Sequence, residues 1–252
     1  MVRPSRSLPL IFAPVLLLGA CTSGSPDQPA APLPASASLE DLLACHDDAV
    51  GGDALRTIQR VEYDLRITEP TFEVDATYFA DRDGSARIDI FAEGERVFSE
   101  GWDGDAGWQL PQGETTPQPT SDEGGAALRH GLEQPGHLWT LRDMPSHGHT
   151  LQEDGTAEVT DGERVAHLTL RDGFESWYWI DTETCLITRS RTFRAFHPDV
   201  DSTQTWIETR YADFRRQDGV VRAWTSHSLD LATGDTVGTA QILDIRTTAV
   251  VR

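Results

Sequence analysis

From Arg60 onward the chain alternates apolar and polar residues. Val61, Tyr63, Leu65 and Ile67 interleave with Arg60, Glu62, Asp64 and Arg66. A period of two gives one greasy and one wet face, as in a half-buried antiparallel strand. Phe72, Val74, Ala76 and Tyr78 repeat the pattern after a turn at Glu69-Pro70-Thr71. Ala86, Ile88 and Ile90 follow a turn at Asp83-Gly84, and Asp103-Gly104-Asp105 leads into Trp108 and Leu110. Residues 111–150 break the pattern with a polar stretch to Gly125, a short helix over Ala126–Leu132 and an apolar patch over Leu138–Leu141. Alternation then returns over Thr156–Thr160, Arg164–Arg171, Trp177–Asp181 and Cys185–Phe196. Three longer strands follow, Thr203–Arg215, Val220–Leu231 and Thr236–Arg246. Asp161-Gly162, Asp218-Gly219 and Gly234-Asp235 supply turns between them.

Ahead of the strands the period is helical. Ser38 and Asp41 sit at capping-box spacing, and Leu39, Leu42, Leu43, His46 and Val50 share one face. Gly51-Gly52 ends this helix, and Asp53 is expected to cap a short second turn through Ala54 to Ile58. The fold class is therefore mainly β (α+β), with about ten or eleven strands in hairpin succession. So many one-sided strands with so little helix to cover them imply a strongly curved antiparallel sheet: a barrel, a half-barrel or a sandwich. A doubly wound parallel sheet needs repeated crossover helices, and the pattern offers none.

The first twenty residues change the picture of where this domain works. Arg3 and Arg6 precede an apolar run from about Leu8 that ends in Leu18-Gly19-Ala20-Cys21. A basic start, a short apolar core and small residues before a cleavage point make a secretory signal, and the core is shorter than the ~20 residues of a membrane span. The last four residues resemble the lipobox of bacterial lipoproteins. That resemblance implies a signal peptide over residues 1–20 and a lipid on Cys21. In a Gram-negative host, Thr22 rather than Asp after the cysteine implies the outer membrane. Residues 21–37, with Pro26, Pro29, Pro32 and Pro34 among small residues, read as the acylated cysteine and a tether. Residues 38–252 read as one folded domain, long enough for a single well-buried core.

The net charge of −20, with all 21 basic residues arginine, opposes partnership with nucleic acid or with anionic lipid surfaces. Candidate chemistry is sparse. The side chains of His46-Asp47-Asp48 point about 100° apart on a helix and do not converge on a metal. Asp103 and Asp105 lack the later ligands of a calcium loop. His147 and His149 share a face in an extended chain, with nothing nearby in sequence to complete a site. No G-x-S-x-G, H-E-x-x-H, phosphate loop, C-x-x-C or dinucleotide fingerprint is present. Neither a catalytic residue, a metal nor a cofactor is expected. Cys45 and Cys185 are the only cysteines left once Cys21 carries lipid. Export places them in an oxidising compartment, so a Cys45–Cys185 disulfide is expected, with two buried free thiols as the alternative.

Four segments together resemble the LolA/LolB-like half-barrel proteins and the related periplasmic outer-membrane lipoprotein-sorting proteins. They are Ala49-Val50-Gly51-Gly52-Asp53-Ala54-Leu55, Trp102-Asp103-Gly104-Asp105-Ala106-Gly107-Trp108, Trp177-Tyr178-Trp179-Ile180-Asp181-Thr182-Glu183-Thr184-Cys185-Leu186, and Tyr211-Ala212-Asp213-Phe214-Arg215-Arg216-Gln217-Asp218-Gly219-Val220. Two departures stand out. Cys185 occupies a turn position where such relatives usually carry Gly, and the usual Pro after Val221 is missing. The resemblance implies an open half-barrel with short helices over its mouth, a concave face that holds acyl chains, and no catalytic residues.

The expected ligand face is apolar and concave. Val61, Tyr63, Leu65, Phe72, Val74, Tyr78, Ile88 and Ile90 supply one stretch of it, Trp177 and Trp179 share a side of a later strand, and Trp206 and Trp224 lie near the end. The same residues would alternatively close into a dry core. The leading reading is an outer-membrane-anchored periplasmic lipoprotein that binds lipid or lipoprotein acyl chains. An envelope interaction or regulatory protein with a periplasmic protein partner is the second, and an enzyme is the last.

Overall fold

The computed structural model describes residues 33–34 and 36–250. The expected signal peptide, Cys21 and most of the tether lie outside the described residues. Helix α1 spans Leu39–Val50. Its start is the expected capping box: the Ser38 hydroxyl accepts from the Asp41 N–H and the Asp41 carboxylate accepts from the Ser38 N–H. Gly51, left-handed at φ 76°, ends it. A side chain there would meet the Gly219 carbonyl oxygen at 2.1 Å, so both the conformation and the close approach of the last hairpins require glycine. Helix α2 spans Gly52–Arg56 and differs from expectation, because no side chain caps it and Asp53 lies inside its first turn. The tether meets the fold earlier than Ser38, since the Leu33 N–H donates to the Thr182 carbonyl at 2.8 Å.

Among the described residues, thirteen antiparallel strands form one unclosed, curved sheet. They are β1 (Ile58–Glu69), β2 (Phe72–Asp81), β3 (Ala86–Ala92), β4 (Glu95–Trp102), β5 (Gly107–Pro111), β6 (Gln118–Pro119), β7 (Thr150–Glu153), β8 (Glu163–Thr169), β9 (Glu175–Asp181), β10 (Ile187–Arg194), β11 (Thr205–Gln217), β12 (Val220–Asp230) and β13 (Thr236–Ala249). The order is β6-β5-β4-β3-β2-β1-β13-β12-β11-β10-β9-β8-β7. Every neighbour is a neighbour in sequence except β1 and β13, the first and last strands, which pair at the middle of the sheet. The segment between β6 and β7 runs from one sheet edge to the other, through helix α3 (Asp122–Glu133) and a 3-10 helix over Leu141–His147.

Bulges supply curvature. Leu243 is an extra residue opposite β1, Val237 opposite β12 and Val97 opposite β3. The sequence pattern missed β4 because its inward positions include Glu100 and its outward positions include Val97, which breaks the alternation. The short β6 has no pattern to read. The strand expected over Thr156–Thr160 is a loop, and the strand is β7 instead. The Asp154 carboxylate accepts from the Thr156 and Ala157 N–H groups at 2.9 and 3.2 Å. This local turn competes with the ladder and ends β7.

Two packed clusters flank the concave face. Leu55, Ile58, Val61, Tyr63, Leu132, Leu138, Val220 and Ile245 belong to one. Leu42, Leu43, Leu141, Met144, Leu168, Tyr178 and Ile180 belong to the other. Trp139 packs against both. The expected disulfide is formed: Cys45 on α1 joins Cys185 in the β9–β10 turn, with Cα atoms 5.7 Å apart. Cys185 is itself left-handed, at φ 57°. A left-handed φ favours glycine, and here the position is a cross-linked cysteine.

Candidate functional site

Between the two clusters lies a cavity of about 460 Å³, partly open to solvent. Its floor is the concave face of the sheet, with Tyr63, Leu65 and Tyr78 on β1 and β2, Tyr211 on β11, Arg222 and Trp224 on β12 and Ile242 on β13. Its roof is His46 and Val50 of α1, Leu55 of α2, and residues 134–137, Trp139 and Thr140 after α3. The concave face is thus neither wholly packed nor wholly open. Strand ends under the helices are core, and the middle is hollow.

Strand register decides which expected residues meet there. Tyr63 pairs with Tyr78 and Leu65 with Ala76, so all face one way, and Tyr63, Leu65 and Tyr78 reach the cavity. Val61 lies under the roof as fully buried core. Ile88 pairs with Tyr78 and Ile90 with Ala76 on the same face, half-buried beyond the cavity wall, as is Val74. Phe72 is at the exposed far end.

Trp177 and Trp179 are a correction. Tyr178 pairs with Ser190 and lines the cavity, so its two neighbours point to the convex side. There Trp179 lies under the guanidinium groups of Arg189 and Arg191 at 4.5 and 4.8 Å, and Trp177 stacks on His167 at 4.3 Å. Their indole N–H groups donate to the Asp154 carboxylate and the Glu158 carbonyl of the loop after β7. Trp206 shares that side, and of these four strand tryptophans Trp224 is the one that lines the cavity. Trp-Tyr-Trp is bulky on both faces, so the pattern alone does not say which face curves inward. The sequence reading also missed His137, Trp139, Tyr178, Tyr211 and Arg222. For Arg222 a signal exists, because Val220, Arg222, Trp224 and Ser226 share parity.

The polar groups of the lining are mostly uncharged. Among the described residues no Asp or Glu lines the cavity. Burial drives the His137 imidazole down to about 4, helped by the charge of Arg222, so it is neutral at pH 7. Burial also lowers His46, whose Nδ1 lies 2.9 Å from the Cys185 carbonyl oxygen. Burial raises the phenols of Tyr63, Tyr78, Tyr178 and Tyr211, which stay protonated. Arg222 is 7 % exposed. Outside the cavity, the Asp103 carboxylate accepts from the Asp105 and Ala106 N–H groups in a plain turn. His147 packs edge-on against Trp139. Among the described residues no group of three or more His, Cys, Asp or Glu is placed to hold a metal, and no helix is long and apolar enough to cross a membrane.

A curved, open antiparallel sheet roofed by short helices over an apolar hollow defines the class as an open half-barrel. Comparison with solved structures makes this specific: the fold is LolA-like. A LolA superfamily protein from Nitrosomonas europaea matches with TM-score 0.55 at 13 % identity, covering 85 % of this chain and 96 % of that one. A DUF1329 family protein from Desulfovibrio piger matches with TM-score 0.54 at 14 % identity, covering 84 % and 95 %. A domain described as that of an outer membrane lipoprotein-sorting protein from Vibrio parahaemolyticus matches with TM-score 0.54 at 10 % identity, covering 84 % and 94 %. No protein-family model matches the sequence, and no curated protein matches it.

Proposed function

We propose that this chain is a periplasmic lipid-binding carrier, held to the outer membrane through lipid on Cys21, that takes an acyl chain into its concave cavity. The cavity carries the reading. It is concave, mostly apolar and of the size of small-molecule sites, about 300–1,000 Å³. Burying about ten methylenes at about 0.8 kcal/mol each supplies about 8 kcal/mol, a micromolar Kd before the cost of immobilising the chain. The reading assigns no catalytic step to any residue. Native mass spectrometry of the mature chain with Cys21→Ser, followed by organic extraction, tests it. A co-purifying acyl lipid supports it, whereas an empty extract and no uptake of a fluorescent fatty acid remove it.

Leu65→Trp probes the hollow directly. Leu65 lines it, so an indole is expected to fill space that is empty, leaving the unfolding midpoint nearly unchanged and weakening the fluorescent fatty acid at least tenfold. A destabilisation of about 1–3 kcal/mol with binding intact is the signature of an overpacked core and would contradict the reading. For the anchor, Cys21→Ser is expected to block lipid attachment. Metabolic labelling with palmitate checks this, and label retained by the variant would exclude Cys21 as the acceptor.

A further inference from the structure

The cavity holds a polar cluster that the carrier reading leaves unused. Arg222 is 7 % exposed and among the described residues makes no ion pair; Nε and Nη2 are both buried without a partner, and the guanidinium lies near enough to the Tyr63 hydroxyl to oppose the effect of burial on that phenol. Arg222 lies over the ring of Tyr63, its guanidinium carbon 5.9 Å from the centroid. The Tyr63 hydroxyl is buried and unpartnered, and so is the indole N–H of Trp224, two residues along the same strand. Neutral His137 packs against Tyr63 at 5.5 Å and against Tyr78 at 4.7 Å. The other polar side chains of the lining are phenols, imidazoles, indoles, Gln134, Thr140 and Ser226, and among the described residues no carboxylate lines the cavity.

A buried guanidinium without a counter-ion is costly, and buried polar groups left unmade in a folded protein call for a partner. The fork of an arginine fits a carboxylate or phosphate, and hydrogen bonds to such anions are stronger than neutral ones. We propose that Arg222, the Tyr63 hydroxyl and the Trp224 indole N–H form an anion subsite inside the cavity. The preferred ligand is then a single-chain amphiphile whose carboxylate or phosphate head meets Arg222 while its chain lies along Leu65 and Ile242. The acidic surface opposes a free inorganic anion, but screening over about 8 Å at physiological salt and burial of the chain favour an amphiphile.

This inference rests on the carrier reading, and the test separates the two. Palmitate, palmitoyl lysophosphatidate and hexadecanol are titrated against a bound fluorescent fatty acid, using the mature chain with Cys21→Ser. At least one of the two anions is expected to bind ten or more times tighter than hexadecanol, and the tighter of them identifies the head group. Arg222→Met should weaken that anion at least tenfold, leave hexadecanol within twofold, and raise the midpoint of thermal unfolding of the ligand-free chain. Arg222→Lys keeps the charge without the fork and should lose several-fold, which preserves the test if the Met variant does not fold. Equal binding of anions and alcohol by the unsubstituted cavity, or an equal loss for both on substitution, overturns the anion subsite and leaves the carrier reading standing. No uptake of any of the three overturns both.

Discussion

Replacing Cys45 and Cys185 together by serine is expected to lower the stability of the folded chain by about 4–5 kcal/mol. The bond closes a loop across a sequence separation of 140, and a cross-link over so long a loop removes much of the freedom of the unfolded chain. In the folded chain it ties α1 to the β9–β10 turn, where the Cys185 carbonyl oxygen also lies 2.9 Å from His46 Nδ1. His46 and Val50 roof the cavity, so loss of the cross-link is expected to weaken ligand uptake as well as stability. Urea unfolding with and without reductant reads the first effect. Reduced native protein and the double serine variant should share one lowered midpoint, and an unchanged midpoint in reductant would show that the bond contributes nothing. The left-handed φ of 57° at Cys185 allows a finer check. Glycine relieves a cost of about 1 kcal/mol there, so the Cys45→Ser, Cys185→Gly variant should be more stable than the double serine variant by about that amount.

Asp47→Ala should cost about 3 kcal/mol. Asp47 is buried on α1 and receives two bonds from Arg56 of α2, at 2.6 and 3.0 Å, and one from the Thr140 hydroxyl at 2.7 Å. Arg56 reaches on to Asp143 at 2.9 Å, so one carboxylate and one guanidinium join α1, α2 and the 3-10 helix into a roof. Breaking a buried pair costs about 3–5 kcal/mol, and the lower end applies because the Arg56 side chain is 35 % exposed. Burial works to raise the Asp47 carboxyl, but the bonds from Arg56 and Thr140 and the charges of Arg56 and Arg142 hold it below its ordinary value. A carboxyl lowered in the folded state stabilises fully above its unfolded value of about 3.9 and loses that contribution as pH falls toward the folded value. The gap between the native and Asp47→Ala proteins should therefore be full at pH 7 and narrow below about pH 4. A gap that stays constant down to pH 3 would mean that the carboxylate charge plays no part.

The local rules were strong enough to be read without any structure. Ser38 and Asp41 mark the start of α1 because their bonds are three residues apart, and the Asp-Gly turns mark hairpins because φ is restricted within a few residues. Strict alternation placed Tyr63, Leu65 and Tyr78 on one face, and their neighbours in β1 and β2 repeat it. The cysteine pair followed from the expectation of export to an oxidising compartment. Tertiary structure alone decided the rest. Alternation defines two faces but not which one curves inward, so Trp177 and Trp179 were assigned to the hollow that Tyr178 in fact lines. That choice is made by the pairing of β1 with β13 across the whole chain and by bulges such as Leu243, which bend the sheet. Residues 134–140 carry no period, and they became the roof because their segment must pass from one sheet edge to the other. Arg222 reads in sequence as one arginine among 21. Only its burial beside Tyr63, in a cavity that no carboxylate lines among the described residues, makes it a charge in want of an anion.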